Sequence, residues 1–398
     1  MISVSDAYSI VLNHPLAVAA EAIPLTQATG RVLHEPLAAD RDLPPFDRVS
    51  MDGIAIAYAS WADGQRRFRV AGAQFAGQPA QTLTDETACL EVMTGAMLPT
   101  GTDSVIRYED IQISDGVAEI QLDTVQPGQN VHRRATDRRQ HEELVPAGTR
   151  LGPAEMAVAA SVGKATVRVS QRPRIALIST GDELVDVAET PEPYQIRRSN
   201  TYLLQTVLES AGAETALLHL PDDADAMETA LKTLLAEFDA LVLSGGVSAG
   251  KADFVPGVMA RLGVRQQFHQ VAQRPGKPLW FGASEAGKVV FGLPGNPVST
   301  FLCAYRYLLP WLQTSLGLPI APPPVARLVR KISFAPKLTY FLSVSLSVNS
   351  EGIWLAEPLP GSGSADYANL LRCDGFMELP PDQTEFAEGE AFPVYTFR

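Results

Sequence analysis

Three loops rich in glycine and proline contain the residues of this chain that are best suited to bind an anion. They are Ser244–Ser248 (SGGVS), Arg274–Pro278 (RPGKP) and Gly292–Pro297 (GLPGNP), and the last opens an apolar helix. Glycine lets backbone N–H groups approach an anion, and proline fixes φ, so the loops would be shaped before a ligand arrives. Arg274 and Lys277 add cationic charge. A single such loop is better explained as an ordinary turn, but three in one segment favour binding of phosphates or nucleotides.

Carboxylates are expected at the strand ends of the same segment. Asp182 and Glu183 follow its first predicted strand, Asp222 and Asp223 follow the second, and Asp253 lies beyond the first glycine loop. Hard oxygen ligands suit Mg²⁺, which neutralises charge when a phosphoanhydride is cleaved. Glu183 and Asp253 are predicted to bind a metal ion or to position water, with Asp222 as a third candidate ligand. For Asp222 and Asp223, a helix N-cap is an equally good interpretation.

The elements that must position these residues alternate between strand and helix from Arg174 to about Leu318. This alternation predicts a doubly wound α/β domain with a parallel sheet covered by helices on both faces. The predicted strands are Arg174–Ser179, Glu214–Leu220 and Ala240–Leu243, and the predicted helices are Asn200–Ala211, Ala224–Glu237 and one near Pro256–Leu262.

The remaining segments predict a multidomain α/β plus β protein. Short alternating runs between 43 and 138 predict a β module inserted into a mixed N-terminal domain formed by 1–42 and 139–170. That N-terminal domain should begin with a helix capped at Ser5-Asp6 and include a second helix at Leu151–Ala160. The α/β domain would span 171–320, and alternating runs after Pro322-Pro-Pro324 predict a C-terminal β barrel over 321–398.

Composition excludes several functional classes. With 32 basic and 45 acidic residues among 398, the net charge is −13, which argues against nucleic-acid or anionic-membrane binding. The three cysteines form no CxxC pair, which argues against structural zinc and for a reducing compartment. No signal peptide or membrane span is recognisable, so a cytoplasmic location is expected. Isolated histidines, His132 among them, are interpreted as ordinary surface or core residues.

Six motifs in one order are similar to those of the molybdopterin molybdenumtransferases, the MoeA family. They are Pro44–Gly53, Met93–Gly101, Ser179–Leu184, Ser244–Gly250, Pro275–Pro278 and Gly292–Pro297. The resemblance implies an enzyme that uses Mg²⁺ and molybdate to convert adenylated molybdopterin into molybdenum cofactor, with release of AMP. It also implies a MogA-like nucleotide-binding domain and an elongated four-domain homodimer, in which the inserted domain of one subunit completes the active cleft of the other.

The resemblance assigns roles to individual residues. Asp52, Asp137, Glu183 and Asp253 would be catalytic, and Glu183, Asp222 and Asp253 would hold Mg²⁺. The glycine loop at Ser244 would bind the phosphate and pterin portion, and the two later loops would face molybdate or the nucleotide phosphates. The implied substrate-binding residues are Thr180, Ser244, Gly245, Gly246, Ser248, Arg274, Lys277, Pro278, Pro294, Asn296, Pro297 and Ser299.

Four positions depart from the pattern of the family. Lys251 and Thr136 each stand where the family has an acid, and Arg198 replaces the aspartate of an Asp-Ser-Asn motif near the adenine. Leu342 stands where an arginine is expected beside molybdate, which leads to the hypothesis that molybdate affinity is weakened.

Two alternative functions stay open, and the departures support the first of them. One is a catalytically weakened paralogue or a dimeric scaffold of the same fold, as in the gephyrin E domain. The other is a molybdopterin adenylyltransferase, which is less favoured because such proteins lack the inserted β module and the C-terminal domain. In the favoured interpretation that adenylyltransferase is instead a possible partner.

Overall fold

The computed structural model describes residues 1–246, 254–359, 363 and 366–398. The chain forms two compact units. The first comprises Met1–His34, Ala147–Gly152 and Val167–Arg398, and the second comprises Glu35–Pro146 and Pro153–Thr166. The division into four domains predicted above is finer than this and stays a prediction. None of the described helices is long and apolar enough to cross a membrane.

The first unit is built around a six-stranded sheet. In spatial order its strands are Glu214–Leu220, Arg174–Thr180, Ala240–Ser244, Val289–Leu293, Trp280–Ser284 and Val264–Phe268. The first four strands run parallel, but each remaining neighbour pair is antiparallel. The four parallel strands agree with the predicted doubly wound parallel sheet, and the two further strands make the sheet mixed at this edge. Only residues 285–288 separate Trp280–Ser284 from Val289–Leu293, and so short a turn permits only an antiparallel pair.

Helices cover both faces of the sheet. Alternate residues of the strand Arg174–Thr180 point to opposite sides of the sheet, so Leu177 and Ile178 pack into two different apolar cores. This double coverage explains why the strand is an unbroken apolar run. The helices are Asn200–Ala211, Ala224–Glu237, Val255–Arg261 and Pro297–Cys303, and the last continues through a π-helical segment, Ala304–Leu308, into Leu309–Ser315. The short strands Leu184–Val185 and Ile196–Arg197 pair beside this sheet.

The N-terminal helix, Val4–Leu12, packs its buried face into one of these cores. Its N-cap is Ser3, whose hydroxyl accepts from the Asp6 amide at 3.0 Å, so the predicted cap at Ser5-Asp6 is two residues late. The elements nearby are the strands Ala20–Pro24 and Thr166–Ser170, which pair with each other, and the 3₁₀ turn Leu25–Gln27.

The C-terminal part of the first unit is a closed sheet, which confirms the predicted barrel. Its strands, in spatial order, are Thr339–Val348, Trp354–Pro358, Val325–Leu328, Ala391–Thr396 and Gly375–Leu379, and the last pairs back to the first. The strand Gln273–Arg274 adds to the outer edge of Thr339–Val348. Its other elements are the paired strands Ile332–Ser333 and Glu385–Phe386 and the helix Tyr367–Leu370.

The second unit contains the predicted β module. Its six-stranded sheet has the order Ser104–Arg107, Gly53–Ile56, Ala88–Val92, Arg67–Gln74, Val117–Ile120 and Ile111–Ser114. Alternating apolar residues such as Ile54, Ile56 and Phe68 form its core. Its other elements are the paired strands Leu37–Ala38 with Glu143–Val145 and Arg48–Val49 with Val131–His132, the helices Tyr58–Ala62 and Pro153–Ser161, and the 3₁₀ turn Tyr108–Asp110.

Candidate active site

The candidate site lies where three neighbouring parallel strands end. Ser179 pairs with Ser244, and Ser244 pairs in turn with Leu293. The loops that follow these three strands therefore leave the sheet at the same edge. In open α/β sheets, ligands bind at the carboxyl ends of the strands. The register thus brings together loops that are distant in sequence.

The turn after Ser244 requires glycine at two consecutive positions. Gly245 and Gly246 have φ of 102° and 67°, which side chains rarely adopt. A Cβ at either position would lie 2.9 Å from the Thr180 hydroxyl oxygen. That hydroxyl is buried and has no hydrogen-bond partner among the described residues. The turn therefore packs its bare backbone against an unsatisfied polar atom, as expected of a cradle for a polar ligand.

Asn200, at the start of its helix, ties two of the loops together. Its side-chain amide donates to Ser244 Oγ and to the Gly295 carbonyl, both at 2.8 Å. Gly295 also approaches Gly245, since a Cβ on Gly295 would lie 4.0 Å from the Gly245 Cα. Asn200 is not among the predicted site residues, because nothing local in the sequence indicates that it bridges these loops.

A cavity of about 410 Å³ lies beside this edge, between the two later loops and the C-terminal barrel. Half of the predicted substrate-binding residues line it, namely Arg274, Lys277, Pro278, Pro294, Asn296 and Ser299. The barrel contributes Tyr340 and Ser343. Thr180, Ser244, Gly245 and Gly246 lie at the glycine turn instead, and Pro297 opens the helix that carries Ser299. The site therefore has two adjoining parts.

The cavity contains two exposed cationic side chains, Arg274 and Lys277. Neither forms an ion pair with a carboxylate of the described part of the chain. The Arg274 guanidinium lies 6.0 Å from the centroid of the Phe334 ring, on which Tyr340 stacks at 4.2 Å. Burial raises the pKa of the Tyr340 phenol, while Arg274 opposes the shift. The cations therefore remain available to an anion in the cavity.

Leu342 does not face this cavity. Its side chain is buried in the core of the barrel with Val344 and Met377, and its neighbour Ser343 lines the cavity instead. Successive residues of a strand point to opposite faces, so an offset of one residue changes which side chain meets the ligand. Leu342 therefore does not line this cavity, and the hypothesis of a weakened molybdate affinity stays a prediction.

Glu183 lies at the glycine-turn part of the site. Gly181, directly after Thr180, has a φ of 130°, and a Cβ there would meet the Glu183 carboxylate at 2.5 Å. The carboxylate therefore folds back over the turn that carries the Thr180 hydroxyl. Its side chain is exposed, so its oxygens can coordinate a cation.

Of the two aspartates after the next strand, Asp223 is a helix cap. Its carboxylate accepts from the Ala226 amide at 2.8 Å at the start of Ala224–Glu237. The Asp222 amide donates to the Asp182 carboxylate at 3.2 Å, which joins this loop to the one that carries Glu183. In the described residues, no three histidine, cysteine, aspartate or glutamate side chains converge to hold a metal. Asp253, the third predicted ligand, lies outside those residues, as do Ser248 and Lys251.

In the second unit, Asp52 is held ionised by its neighbour Thr94. The Thr94 amide and hydroxyl donate to the same carboxylate oxygen at 2.6 and 2.8 Å. The backbone hydrogen bond, followed by the side-chain one, lowers the pKa of Asp52. Because the carboxylate is exposed, it can still accept hydrogen bonds from a ligand or from water.

Asp137 is oriented by His132, which the sequence pattern indicates only as an ordinary surface or core residue. Arg48 Nη2 lies 3.1 Å from His132 Nδ1, and His132 Nε2 lies 3.0 Å from Asp137 Oδ1. Arginine only donates, so Nδ1 must accept, and the proton of the neutral ring sits on Nε2 and is donated to Asp137. Arg48 and His132 are brought together by strand pairing.

The arginine-rich stretch that carries Asp137 is fixed by two further aspartates. Asp47 accepts from Arg133 Nη1 at 2.6 Å and from the Arg134 amide at 2.8 Å. Asp42 accepts from Arg134 Nε at 2.6 Å. Thr136, where the family has an acid, donates to the Arg133 carbonyl at 2.7 Å and so stabilises the turn. These arginines are therefore structural partners of acids in their own unit.

Arg198, the remaining departure, forms an ion pair with Asp186. This ion pair and the hydrogen bond from the Arg198 amide to the Val185 carbonyl connect the two ends of the segment 185–198, which follows Glu183. The basic residue at this position therefore has a local partner in the described chain.

Comparison with known proteins assigns a family to this arrangement. Three family models match, namely the MoeA N-terminal region (domain I and II) over residues 2–163, the probable molybdopterin binding domain over 176–314 and the MoeA C-terminal region (domain IV) over 325–397. A molybdopterin molybdenumtransferase of Synechocystis sp. is 42% identical over 100% of both chains. One from Bacillus subtilis is 30% identical over 95% of this chain and 90% of its own.

A solved structure agrees with the sequence relatives. The crystal structure of a molybdopterin biosynthesis MoeA protein from Pyrococcus horikosii matches with a TM-score of 0.86 and 31% identity, over 100% of this chain and 99% of that one. Full-length similarity in sequence and in fold shows that the chain belongs to the MoeA family.

Proposed function

We propose that this chain acts as a molybdopterin molybdenumtransferase in molybdenum cofactor biosynthesis, and that it inserts molybdate into adenylated molybdopterin with Mg²⁺-dependent release of AMP. The full-length relatives that carry this name support the proposal. The observation that carries it is the cavity in which Arg274, Lys277 and Ser299 meet. Gly295, which lies between the cavity-lining residues Pro294 and Asn296, packs close to Gly245 of the glycine turn.

The two parts of the site suit two anionic substrates. Adenylated molybdopterin carries a pyrophosphate. A pyrophosphate oxygen would accept a hydrogen bond from the Thr180 hydroxyl and would lie close to the backbone of Gly245 and Gly246. Molybdate is a dianion and would bind in the adjoining cavity between Arg274 and Lys277. Local cations are needed because the chain as a whole has a net charge of −13.

The oxygen donors beside the glycine turn fit Mg²⁺. This ion is commonly held by one or two carboxylates together with substrate phosphates and water, so three converging side chains are not needed. Glu183 and Asp222 would supply the carboxylates, with Asp253 as a further proposed ligand. When bound, Mg²⁺ neutralises charge that develops as the phosphoanhydride is cleaved. The exposed Glu183 carboxylate lies over the turn that carries the Thr180 hydroxyl.

Asp52 and Asp137 are proposed as the acids that act on the reacting phosphate. The bonds from Thr94 keep Asp52 ionised, and His132 holds one oxygen of Asp137. Each carboxylate keeps exposed oxygen available to orient the water that replaces AMP on the phosphate. We propose that they act on the site of the partner subunit in a homodimer.

The proposal extends to the setting of the reaction. A molybdopterin adenylyltransferase would supply the adenylated substrate. All three cysteines, Cys89, Cys303 and Cys373, are buried and unpaired, which supports a reducing cytoplasmic location.

An AMP-release assay tests the function. The purified chain, incubated with adenylated molybdopterin, Mg²⁺ and molybdate, should release AMP. At low molybdate, Lys277→Ala should reduce the rate at least about tenfold, the effect of losing one charge-assisted hydrogen bond. Lys232→Ala removes the same charge from an exposed helix position of the same unit and should leave the rate unchanged.

The alternative functions predict other results. Substrate binding without AMP release would support a dimeric scaffold and would contradict the proposal. Consumption of ATP with free molybdopterin would support an adenylyltransferase.

A further inference from the structure

A buried amide supports the loop that carries the cavity lysine. The side chain of Gln273 is fully buried, and its Nε2 lies 3.0 Å from the Gly276 carbonyl oxygen. A carbonyl only accepts, so the amide nitrogen must face Gly276 and its oxygen must face the other way. That oxygen accepts from the Tyr307 hydroxyl at 2.5 Å. Every polar group of this link is therefore satisfied within the protein.

The loop fits closely against this amide. Gly276 has a φ of 83°, and a Cβ there would lie 2.8 Å from Gln273 Nε2 and 3.1 Å from Cys303 Sγ. The next carbonyl, that of Lys277, accepts from the Val271 and Leu279 amides at 3.0 and 3.1 Å. The backbone on both sides of the Gly276–Lys277 peptide is thereby fixed, and the Lys277 side chain extends from it to the cavity.

The link also connects two walls of the cavity. Tyr307 lies in the π-helical segment Ala304–Leu308, which continues the helix that carries Ser299. Its phenol is buried, and burial raises its pKa well above the ordinary value, so it remains a hydrogen-bond donor. Gln273 belongs to the strand that pairs with the barrel. The link therefore sets the position of Lys277 relative to Ser299.

We propose that Gln273 and Tyr307 are positioning residues for oxyanion binding, a role that rests on the proposed function. Neither has to touch the anion. Gln273 holds the Gly276 carbonyl and so fixes the backbone from which Lys277 reaches the cavity, and Tyr307 holds the Gln273 amide in the required orientation. Fixing the loop before the anion arrives lowers the ordering cost of binding.

Two single variants and their combination separate positioning from stability. Gln273→Met leaves the Tyr307 hydroxyl and the Gly276 carbonyl without partners, and Tyr307→Phe leaves only the Gln273 oxygen without one. Each should lower Tm, because a buried polar group without a partner is costly. In the double variant Gln273→Met with Tyr307→Phe, only the Gly276 carbonyl is left without its partner, so Tm should recover by about half of the loss in Gln273→Met.

Molybdate binding to the purified chain, measured by equilibrium dialysis at a temperature at which every variant is folded, gives the second readout. The Gly276 carbonyl lacks its donor in Gln273→Met and in the double variant, so Kd for molybdate should rise about tenfold in both. A control outside the cavity is Gln266→Met, which removes the acceptor of the Trp280 indole N–H at 3.0 Å. Gln266 is exposed, so the loss of Tm should be smaller than in Gln273→Met, and Kd should not change.

The outcomes are distinguishable. Recovery of Kd together with Tm in the double variant, or an unchanged Kd in Gln273→Met, would overturn the positioning role and leave the proposed function intact. Failure of the unsubstituted chain to bind molybdate would overturn the proposed oxyanion site, and the positioning role with it.

Discussion

The unpaired hydroxyl of Thr180 leads to a prediction with opposite effects on stability and on binding. Only 3% of this residue is exposed, and its hydroxyl has no hydrogen-bond partner in the described structure. Valine has nearly the same shape and no hydroxyl. Thr180→Val should therefore stabilise the free protein and weaken binding of the phosphate-bearing substrate.

The magnitudes follow from the burial of this hydroxyl. Mutational data place the cost of a buried hydroxyl without a partner at about 1–3 kcal/mol. Because the residue is almost fully buried, most of that cost should be recovered, so the free energy of unfolding should rise by about 1–2 kcal/mol. Loss of one hydrogen bond to a charged phosphate is worth about 1.5–3 kcal/mol, so Kd for adenylated molybdopterin should rise at least about tenfold.

Urea unfolding and equilibrium binding measure the two effects separately. Thr201→Val is the matched control, since Thr201 also carries a buried hydroxyl without a described partner, on the helix Asn200–Ala211. It should raise stability to a similar extent and leave Kd unchanged. A less stable Thr180→Val protein would show that the hydroxyl is already satisfied without ligand. A more stable variant with unchanged Kd would show that the hydroxyl does not face the substrate.

Three further predictions concern the cavity and the strand beside it. Gly276→Ala and Gly287→Ala both place a side chain at positive φ, which costs about 1–2 kcal/mol of stability in each case. Of these two glycines, only Gly276 has neighbours within 4 Å, so urea unfolding should show a larger loss of stability for Gly276→Ala. Equal losses in the two variants would contradict the close fit of the loop. Ser343→Arg adds a cation to the cavity wall and should tighten molybdate binding about threefold to tenfold in dialysis. Leu342→Arg places an unpaired charge in the barrel core and should destabilise the protein by roughly 3–5 kcal/mol. If this variant were instead stable and bound molybdate more tightly, the described register of the strand Thr339–Val348 would be wrong.

Much of the α/β fold could be predicted because its signals are local. The helices Asn200–Ala211 and Ala224–Glu237 have the predicted bounds, with Gly212 ending the first at a φ of 111° and Asp223 capping the second. The direction of the strands at the edge of the sheet could not be predicted in this way. A buried strand has the same apolar pattern in either orientation, and only the length of the 285–288 connection reveals that the sheet is mixed.

The candidate site was predictable only where its requirements are those of the backbone. Glycine-rich turns and cations in a proline-rich loop are visible in a sequence, and in the structure Gly245 has a positive φ and Lys277 lines the cavity. Pairings between distant residues are not visible. Nothing local indicates that Arg48 meets His132, or that Gln273 meets Tyr307, because strand pairing and helix packing bring them together.

Two features of this site oppose stability. They are the buried Thr180 hydroxyl, which has no partner in the described structure, and the two like charges of Arg274 and Lys277 in one cavity. The structure beneath them is by contrast well satisfied, as the Gln273 amide shows by pairing at both ends. Polar groups without partners on a well-satisfied support are expected where a ligand supplies the missing partners. An anion that accepts a hydrogen bond from the Thr180 hydroxyl would give this group its missing partner. An anion between Arg274 and Lys277 would also reduce the repulsion between their charges. The unsatisfied hydroxyl and the two cations therefore both favour an anionic ligand.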